Sequence, residues 1–210
     1  MGKIQDKAKI VETIIKAAAE YKAKMVGRSF LYVFEGRSIE VVYRTKDFMH
    51  LTGVDSNSSA EQFFKDAIRG RIQPKQIFFS TRHPYDLCSK KMTQLGNLSR
   101  IIDTELFILE DTETNTFTYK FGLSDLELTV CLSEDTDQNG NVVGDHYIAR
   151  SLRVEDSFDR ADGAFEVQYI FSKKNGCRKY DTIMYMDKRM EIKDLPEKVR
   201  YMLDDNLKQL

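Results

Sequence analysis

Residues 29–44, SFLYVFEGRSIEVVYR, decide the fold of the first half of the chain. Aromatic and β-branched residues run on both sides of Glu35-Gly36-Arg37, and such runs are typical of β-strands. A glycine between two such runs favours a tight turn, because glycine adopts the left-handed backbone that hairpin turns require. The stretch therefore predicts an antiparallel β-hairpin with its turn at Gly36.

Helical periodicity precedes and follows this hairpin. Apolar residues recur every three or four positions from Ile10 to Met25, so residues 1–27 predict an N-terminal amphipathic helix. Ser58 and Ser59 both have the spacing of a capping box, which predicts the start of another helix. The remaining predicted helices cover residues 85–102 and 191–210.

The pattern changes beyond Thr104 to six short segments rich in strand formers, separated by Asn, Asp, Gly or Ser. These segments predict an antiparallel β-meander. Helices segregated from antiparallel strands describe an α+β fold. We expect an N-terminal helix at 1–27, an α+β body at 28–190, and a C-terminal helix at 191–210 that packs on it.

Composition narrows the classes of function. The 210 residues carry 32 Lys and Arg against 33 Asp and Glu, a formal net charge of −1, so any nucleic-acid site must be local. The three cysteines are far apart, and no apolar run is long enough to cross a membrane. No glycine-rich phosphate loop occurs. The expectation is a cytoplasmic protein without cofactor, metal or membrane partner.

The strongest motif match is DTDQNGNVVGDH, residues 135–146, in which Asp135, Asp137 and Asn139 occupy calcium-loop positions. The last position holds His146 where a calcium loop needs a bidentate carboxylate, and both flanks have strand patterns. Asn-Gly is also a common hairpin turn. The sequence therefore favours a solvated turn over a calcium site.

His50 lies between large apolar residues in FMHLTGV, residues 48–54. A histidine in such surroundings is more often a hydrogen-bonded structural residue than a catalytic one. Metal-free cleavage of RNA, however, needs only a base, an acid and cations that hold the charge of the phosphorane. Histidine suits proton transfer near neutral pH, and arginine suits phosphate contact. Both interpretations of His50 stay open.

Basic residues later in the chain supply candidate cations. In HYIARSLRV, residues 146–154, strand alternation predicts Ser151 and Arg153 on one face and Arg150 on the other. Polar groups on both faces of a strand indicate a rim, an edge or a site. Two lysine pairs are further candidates for phosphate contact, although a solvated helix face and a solvated turn are the commoner interpretations. These pairs are Lys90-Lys91 and Lys173-Lys174.

Five pieces together resemble a known family: SFLYVFEGRSIEVVYR, KDFMHLTGV, AEQFFKDAIRGRI, SKKMTQLGNLSRII and HYIARSL. The family is the phage-associated nuclease-like domains of the barnase, EndoU, colicin and RelE superfamily, in particular its fourth phage subfamily. The resemblance covers roughly residues 28–172, and F-x-HLTG is its most specific part. It implies helices followed by a small antiparallel sheet, and a metal-independent, toxin-like ribonuclease of phage or mobile-element origin.

Carried onto this sequence, the resemblance implies that His50 is the general base or acid. It also implies that Arg150 stabilises phosphate charge and that Ser151 orients the phosphate; Ala149 stands before Arg150 where the pattern has proline. We add Lys91 as an auxiliary cation. The expected RNA-binding residues are Lys90, Arg153, Lys173 and Lys174.

The expected partner is RNA, with a neutralising or host defence protein as a further partner. The alternative function is a phage accessory protein whose nuclease-like scaffold binds and inhibits a host defence protein without catalysis. The acidic segments EDTETN and SEDTDQNG would then meet a basic protein face.

Overall fold

A computed structural model describes residues 2–114 and 117–209 and places most of its α-helices before residue 96 and most of its strands after residue 106. The α-helices are α1 (Gly2–Lys24), α2 (Phe48–Thr52), α3 (Ala60–Ile68), α4 (Tyr85–Leu95), α5 (Glu197–Met202) and α6 (Asp205–Lys208). The strands are β1 (Arg28–Phe34), β2 (Arg37–Val42), β3 (Asp55–Ser56), β4 (Ile77–Phe78), β5 (Phe107–Glu113), β6 (Thr118–Ser124), β7 (Thr129–Thr136), β8 (Val142–Arg153), β9 (Gly163–Glu166), β10 (Tyr169–Lys174) and β11 (Thr182–Met186). The predicted α+β class is confirmed.

The large sheet has the strand order β11-β10-β1-β2-β8-β7-β6-β5-β9. The predicted hairpin is confirmed as β1 and β2, and its turn residues Glu35 and Gly36 have φ angles of 44° and 72°. Both angles are those of a type I′ turn, which matches the twist of the strands that it joins. The hairpin lies between β10 and β8, and its contact with β8 is parallel, whereas the other strand pairs of this sheet are antiparallel.

The sheet curls because one extended segment contributes both the edge strand β9 and the strand β10, which lies next to the opposite edge. One of the six strand-like segments predicted beyond Thr104 is AFEVQYIFSKK, residues 164–174. The structure divides it between β9, which pairs with β5, and β10, which pairs with β1. Only Val167 and Gln168 lie between the two strands. The curl brings Phe34 of β1 to Phe165 of β9, with ring centroids 6.0 Å apart.

The main core lies between the sheet and the N-terminal helices. The periodic apolar residues of α1 are buried there, including Ile14, Ala18 and Tyr21, and burial of each large side chain contributes about 1.5–3 kcal/mol. The Tyr21 hydroxyl donates to the backbone carbonyl of Arg44 at 3.0 Å, which ties α1 to the segment after β2. None of the described helices combines the length and the hydropathy needed to cross a membrane.

Two predicted helices are divided into shorter ones. The helix expected at 85–102 ends at Leu95, and a 3-10 helix follows after Gly96, which has low helix propensity. At the C-terminus, Leu203 is extended and bridges to Tyr180, so the predicted helix becomes α5 and α6. This C-terminal segment covers a second, smaller core on the outer face of β1 and β10.

The motif that resembles a calcium loop is the turn between β7 and β8. The carboxylate of Asp137 accepts the backbone N–H groups of Asn139 and Asn141 at 2.8 and 2.9 Å, and Asp135 forms an ion pair with Arg44. Among the described residues, no group of three or more His, Cys, Asp or Glu side chains is placed to hold a metal ion. Residues 137–141 are exposed, which confirms the predicted solvated turn.

The cap of α3 offers a test of the fold. Ser58 and Ser59 both fit the capping spacing, but the structure places the Ser59 hydroxyl 3.3 Å from the backbone N–H of Gln62. We therefore expect Ser59→Ala to lower the free energy of unfolding by about 1 kcal/mol, and Ser58→Ala to cost much less. Urea denaturation measures both, and equal losses in the two variants would show that this assignment of the cap is wrong.

Candidate active site

The candidate active site forms where β2 leaves the sheet and its neighbour β8 continues. The two strands pair only through residues 40–42 opposite 146–148. After Val42 the chain turns into a 3-10 helix and α2, whereas β8 runs on to Arg153. As a result α2 contacts β8 where no second strand pairs with it. This arrangement places His50 of α2 at the same end of the sheet as Arg150 of β8.

His50 is exposed, whereas its neighbours Phe48 and Leu51 are buried in the main core. No hydrogen bond to its side chain is found within the described part of the chain. The turn that follows is fixed by Thr52, whose hydroxyl donates to the carbonyl of Met49 at 2.7 Å. The helix therefore anchors itself through its other residues and presents the imidazole of His50 outward, which does not agree with a hydrogen-bonded structural histidine.

Gly53 allows Lys91 to cross the end of α2. Gly53 has a φ of 70°, in the left-handed region that glycine favours, and it ends the helix. A Cβ atom built on this glycine would lie 2.8 Å from Cδ of Lys91 and 3.3 Å from its Nζ. The thiol of Cys88 also donates a hydrogen bond to the carbonyl of Gly53. Glycine is thus needed here both for the backbone conformation and for the close approach of the lysine.

Lys91 is a buried cation, with only 6% of its surface exposed. Among residues 2–114 and 117–209, no hydrogen bond or ion pair to its ammonium group is found. Burial lowers the pKa of Lys91; Cys88 opposes this shift and the nearby charge of Arg153 adds to it. The interpretation of Lys91 as part of a solvated helix face is wrong. A buried charge without a counter-ion is costly, so a bound anion would stabilise this position.

A cleft of about 130 Å³ opens between α4 and the end of β8. Four predicted site residues line it together: Lys90, Lys91, Ser151 and Arg153. In the part of the chain that the structure describes, Nε of Arg153 has no hydrogen-bond partner, and its guanidinium lies 3.5 Å from the carboxylate of Glu155. The cleft therefore combines three cations and a hydroxyl with a single carboxylate.

Arg150 is the extra residue of a β-bulge. Cys131 pairs with Ser151 and Leu132 pairs with Ala149, so Arg150 has no partner in the ladder between them. The regular alternation predicted for this strand is therefore wrong, because a bulge shifts every following side chain to the other face. Bulges also re-aim single side chains, and Arg150 is exposed without an ion pair from any described residue.

Electrostatic interactions link His50 to the cations around it. Partial burial lowers the pKa of His50 below its usual 6.5, and the positive charge of Arg150 lowers it further. Asp47 opposes the shift, while His83 and Lys91 add to it. Arg150 and Lys91 thus both act on His50 and favour its neutral form.

This shift can be measured by an NMR titration of the three histidines. We expect the midpoint of His50 below 6.5, and Arg150→Gln should raise it because a positive charge is removed. A lowered pKa favours the neutral ring in the fold, so stability falls as the pH drops below about 6.5. Arg178→Gln, at an exposed cation of the turn after β10, is the control. An unchanged His50 midpoint in Arg150→Gln would contradict the coupling.

A second imidazole near His50 was not predicted from the sequence. His83 Nδ1 lies 2.8 Å from Oδ1 of Asp55, and the hydroxyl of Ser80 accepts the backbone N–H of His83 at 3.2 Å. Burial opposes ionisation of Asp55, but Ser80 and His83 together lower its pKa. Asp55 and His83 are 28 positions apart, in and after the small β3–β4 sheet, so no local spacing in the sequence signals the pair.

Lys173 and Lys174 lie apart from this site. They are at the end of β10, which β1 and β2 separate from β8. Lys173 forms an ion pair with Glu40 at 3.4 Å, and its ammonium group lies 4.4 Å from the ring centre of Tyr180. The structure therefore does not bring these two lysines to the cleft, and their contact with RNA stays a prediction.

The comparison with known families covers most of this architecture. Residues 13–189 match the family described as phage-Barnase-EndoU-ColicinE5/D-RelE like nuclease4, a range that runs from within α1 to beyond β11. No curated protein and no solved structure matches the chain. All the catalytic candidates, His50, Lys91, Arg150 and Ser151, lie inside the matched range. The chain therefore belongs to the phage-Barnase-EndoU-ColicinE5/D-RelE like nuclease4 family of nuclease-like domains.

Proposed function

We propose that this nuclease-like domain is a metal-independent endoribonuclease, toxin-like and of phage or mobile-element origin. The observation that carries the proposal is the grouping of an exposed, neutral His50 with Arg150 and Lys91, two cations for which the described residues supply no carboxylate partner. This set has a base for proton transfer and positive charge for a phosphate, the groups that RNA cleavage needs.

Each residue has one part in the reaction. His50 accepts the proton of the 2′-hydroxyl, the 2′ oxygen attacks the adjacent phosphorus, and the bond from phosphorus to the 5′ oxygen breaks. Arg150 and Lys91 stabilise the charge that grows on the non-bridging oxygens. Ser151 donates a hydrogen bond that orients the phosphate. The lowered pKa of His50 keeps this base unprotonated near neutral pH.

His83 supplies the proton that the leaving 5′ oxygen needs. Its Nδ1 faces the carboxylate of Asp55, which fixes the orientation of the ring and leaves Nε2 for the substrate. An interaction with His83 is among those that lower the pKa of His50, so the two rings lie within electrostatic range of one another. Two imidazoles beside one phosphate provide both the base and the acid of the reaction.

The alternative of a non-catalytic inhibitor has less support. Several carboxylates of the acidic segments already have partners: Glu110 forms an ion pair with Arg37 at 2.7 Å, and Asp135 forms one with Arg44. Asp137 accepts backbone N–H groups within its own turn. These groups are less available for a basic partner than the sequence suggested.

Incubation of the purified protein with transfer RNA in EDTA tests the proposal. We expect discrete RNA fragments in EDTA and no cleavage of DNA of the same sequence. A parallel reaction with magnesium in place of EDTA distinguishes metal-dependent cleavage from metal-independent cleavage. Cleavage that appears only with magnesium, or no cleavage of any RNA, would overturn the proposal.

A further inference from the structure

Two aromatic side chains at the start of β6 lie beside Arg150. Phe117 is 67% exposed, Tyr119 is half-buried, and their ring centroids are 6.3 Å apart. The carbonyl of Phe117 accepts the backbone N–H of Thr114 at 2.9 Å, which fixes the backbone that carries the ring. A single exposed aromatic residue is common on protein surfaces, so the surroundings of this pair decide its meaning.

The pair lines a cleft of about 410 Å³ on the strands β6, β7 and β8. The charged residues of this cleft are Lys120, Glu134 and Arg150, so cations outnumber carboxylates. Burial raises the pKa of Tyr119, and the charges of Arg153 and Arg150 oppose the shift, which places the phenol within range of both guanidinium groups. The cluster around His50 consists of Arg150, Lys91 and His83, which all act on that imidazole. Arg150 therefore belongs both to this cluster and to the wall of the cleft.

Flat rings beside cations fit one class of ligand especially well. A nucleobase offers a flat face for stacking, and the phosphates on either side of it meet the cations. Stacking of one base on an aromatic side chain changes affinity about 5- to 150-fold and tolerates any base. Bases inside a duplex are already stacked on their neighbours and cannot reach such a ring.

We propose that Phe117 and Tyr119 form a stacking subsite for one unpaired nucleobase next to the phosphate held by Arg150, so that the substrate is single-stranded RNA. This inference rests on the proposed function for the position of that phosphate. Arg150, which the bulge aims outward, connects the cluster around His50 with the cleft lined by Phe117 and Tyr119. The reacting phosphate lies on the His50 side of Arg150, and the neighbouring base lies on the β6 side.

The test uses an RNA oligonucleotide with 2′-O-methyl groups, which binds but offers no 2′-hydroxyl for cleavage. One base at a time is replaced by fluorescent 2-aminopurine. We expect quenching at one position, and Phe117→Ala should remove it and weaken binding at least about 5-fold, whereas Phe117→Tyr should keep both. Tyr201→Ala is the matched control, because Tyr201 is 65% exposed on α5 and should leave binding unchanged.

A duplex of the same sequence provides the contrast. Wild type and Phe117→Ala should bind it equally, because its bases are not available. Equal affinity of these two proteins for the single strand, or an equal loss for single strand and duplex, would overturn the subsite. Stacking without any cleavage of ordinary RNA would keep the subsite and overturn the proposed nuclease activity. Cleavage of ordinary RNA by Phe117→Ala with unchanged kinetics would keep the proposed nuclease activity and overturn the subsite.

Discussion

His50→Asn is expected to lower the rate of RNA cleavage by about 10²–10⁴-fold, the range that a positioned general base contributes. The loss should be catalytic, because His50 is exposed and no described residue forms a hydrogen bond with its side chain. The melting temperature should therefore stay close to that of the wild type. Initial rates on a fluorogenic RNA in EDTA, measured beside a thermal melt, give both quantities.

His146→Asn is the matched control for this experiment. His146 is a half-buried histidine whose Nε2 lies 3.4 Å from the carboxylate of Asp135, and it is outside the cluster around His50. We expect His146→Asn to cleave RNA at a rate within a few-fold of the wild-type rate. A loss below about tenfold in His50→Asn, or losses of equal size in the two variants, would remove His50 from the reaction.

Arg150→Met should lower kcat by about 10²–10³-fold, because it removes a charge aimed at the position where the phosphorane becomes negative. Arg150→Lys should recover only part of this loss, since an ammonium group cannot form the two parallel hydrogen bonds of a guanidinium. Arg150 is exposed and has no ladder partner, so the fold should tolerate both changes. Steady-state kinetics over a range of RNA concentrations separate kcat from KM.

Arg178→Met removes an exposed cation far along the chain and controls for a general loss of positive charge. It should change KM slightly and kcat very little. The decisive result for Arg150→Met is how its loss of activity divides between kcat and KM. A rise in KM with an unchanged kcat would mean that Arg150 only binds RNA and does not stabilise the transition state.

Local signals in the sequence predicted much of the fold. Gly36 between two strand-like runs indicated the hairpin, and the apolar spacing in α1 indicated its buried face. Such signals act within a few residues and need no knowledge of distant partners. The division between β9 and β10 and the parallel contact of β2 with β8 depend on pairings between residues far apart in the chain, such as Arg28 with Lys174 and Glu40 with His146. Sequence periodicity contains no information on those pairings.

The same contrast between local signals and distant contacts explains which residues of the candidate site could be predicted from the sequence. His50 and Arg150 were identified because motif-like pieces surround them, and Lys91 because it lies on a predicted helix. The burial of Lys91 depends on Gly53 from another element, and the pairing of His83 with Asp55 needs a small sheet that the sequence does not signal. Groups assembled by tertiary contacts therefore appear only when the fold is known.

Cleavage of an RNA that carries a single 2′-deoxy nucleotide at the mapped cut site tests whether the nucleophile is the substrate's own 2′-hydroxyl, activated by His50 without a metal ion. In EDTA we expect the all-ribose strand to give one fragment ending in a 2′,3′-cyclic phosphate and one beginning with a 5′-hydroxyl. The modified bond should stay intact, and its cleavage at the rate of the unmodified bond would contradict this mechanism.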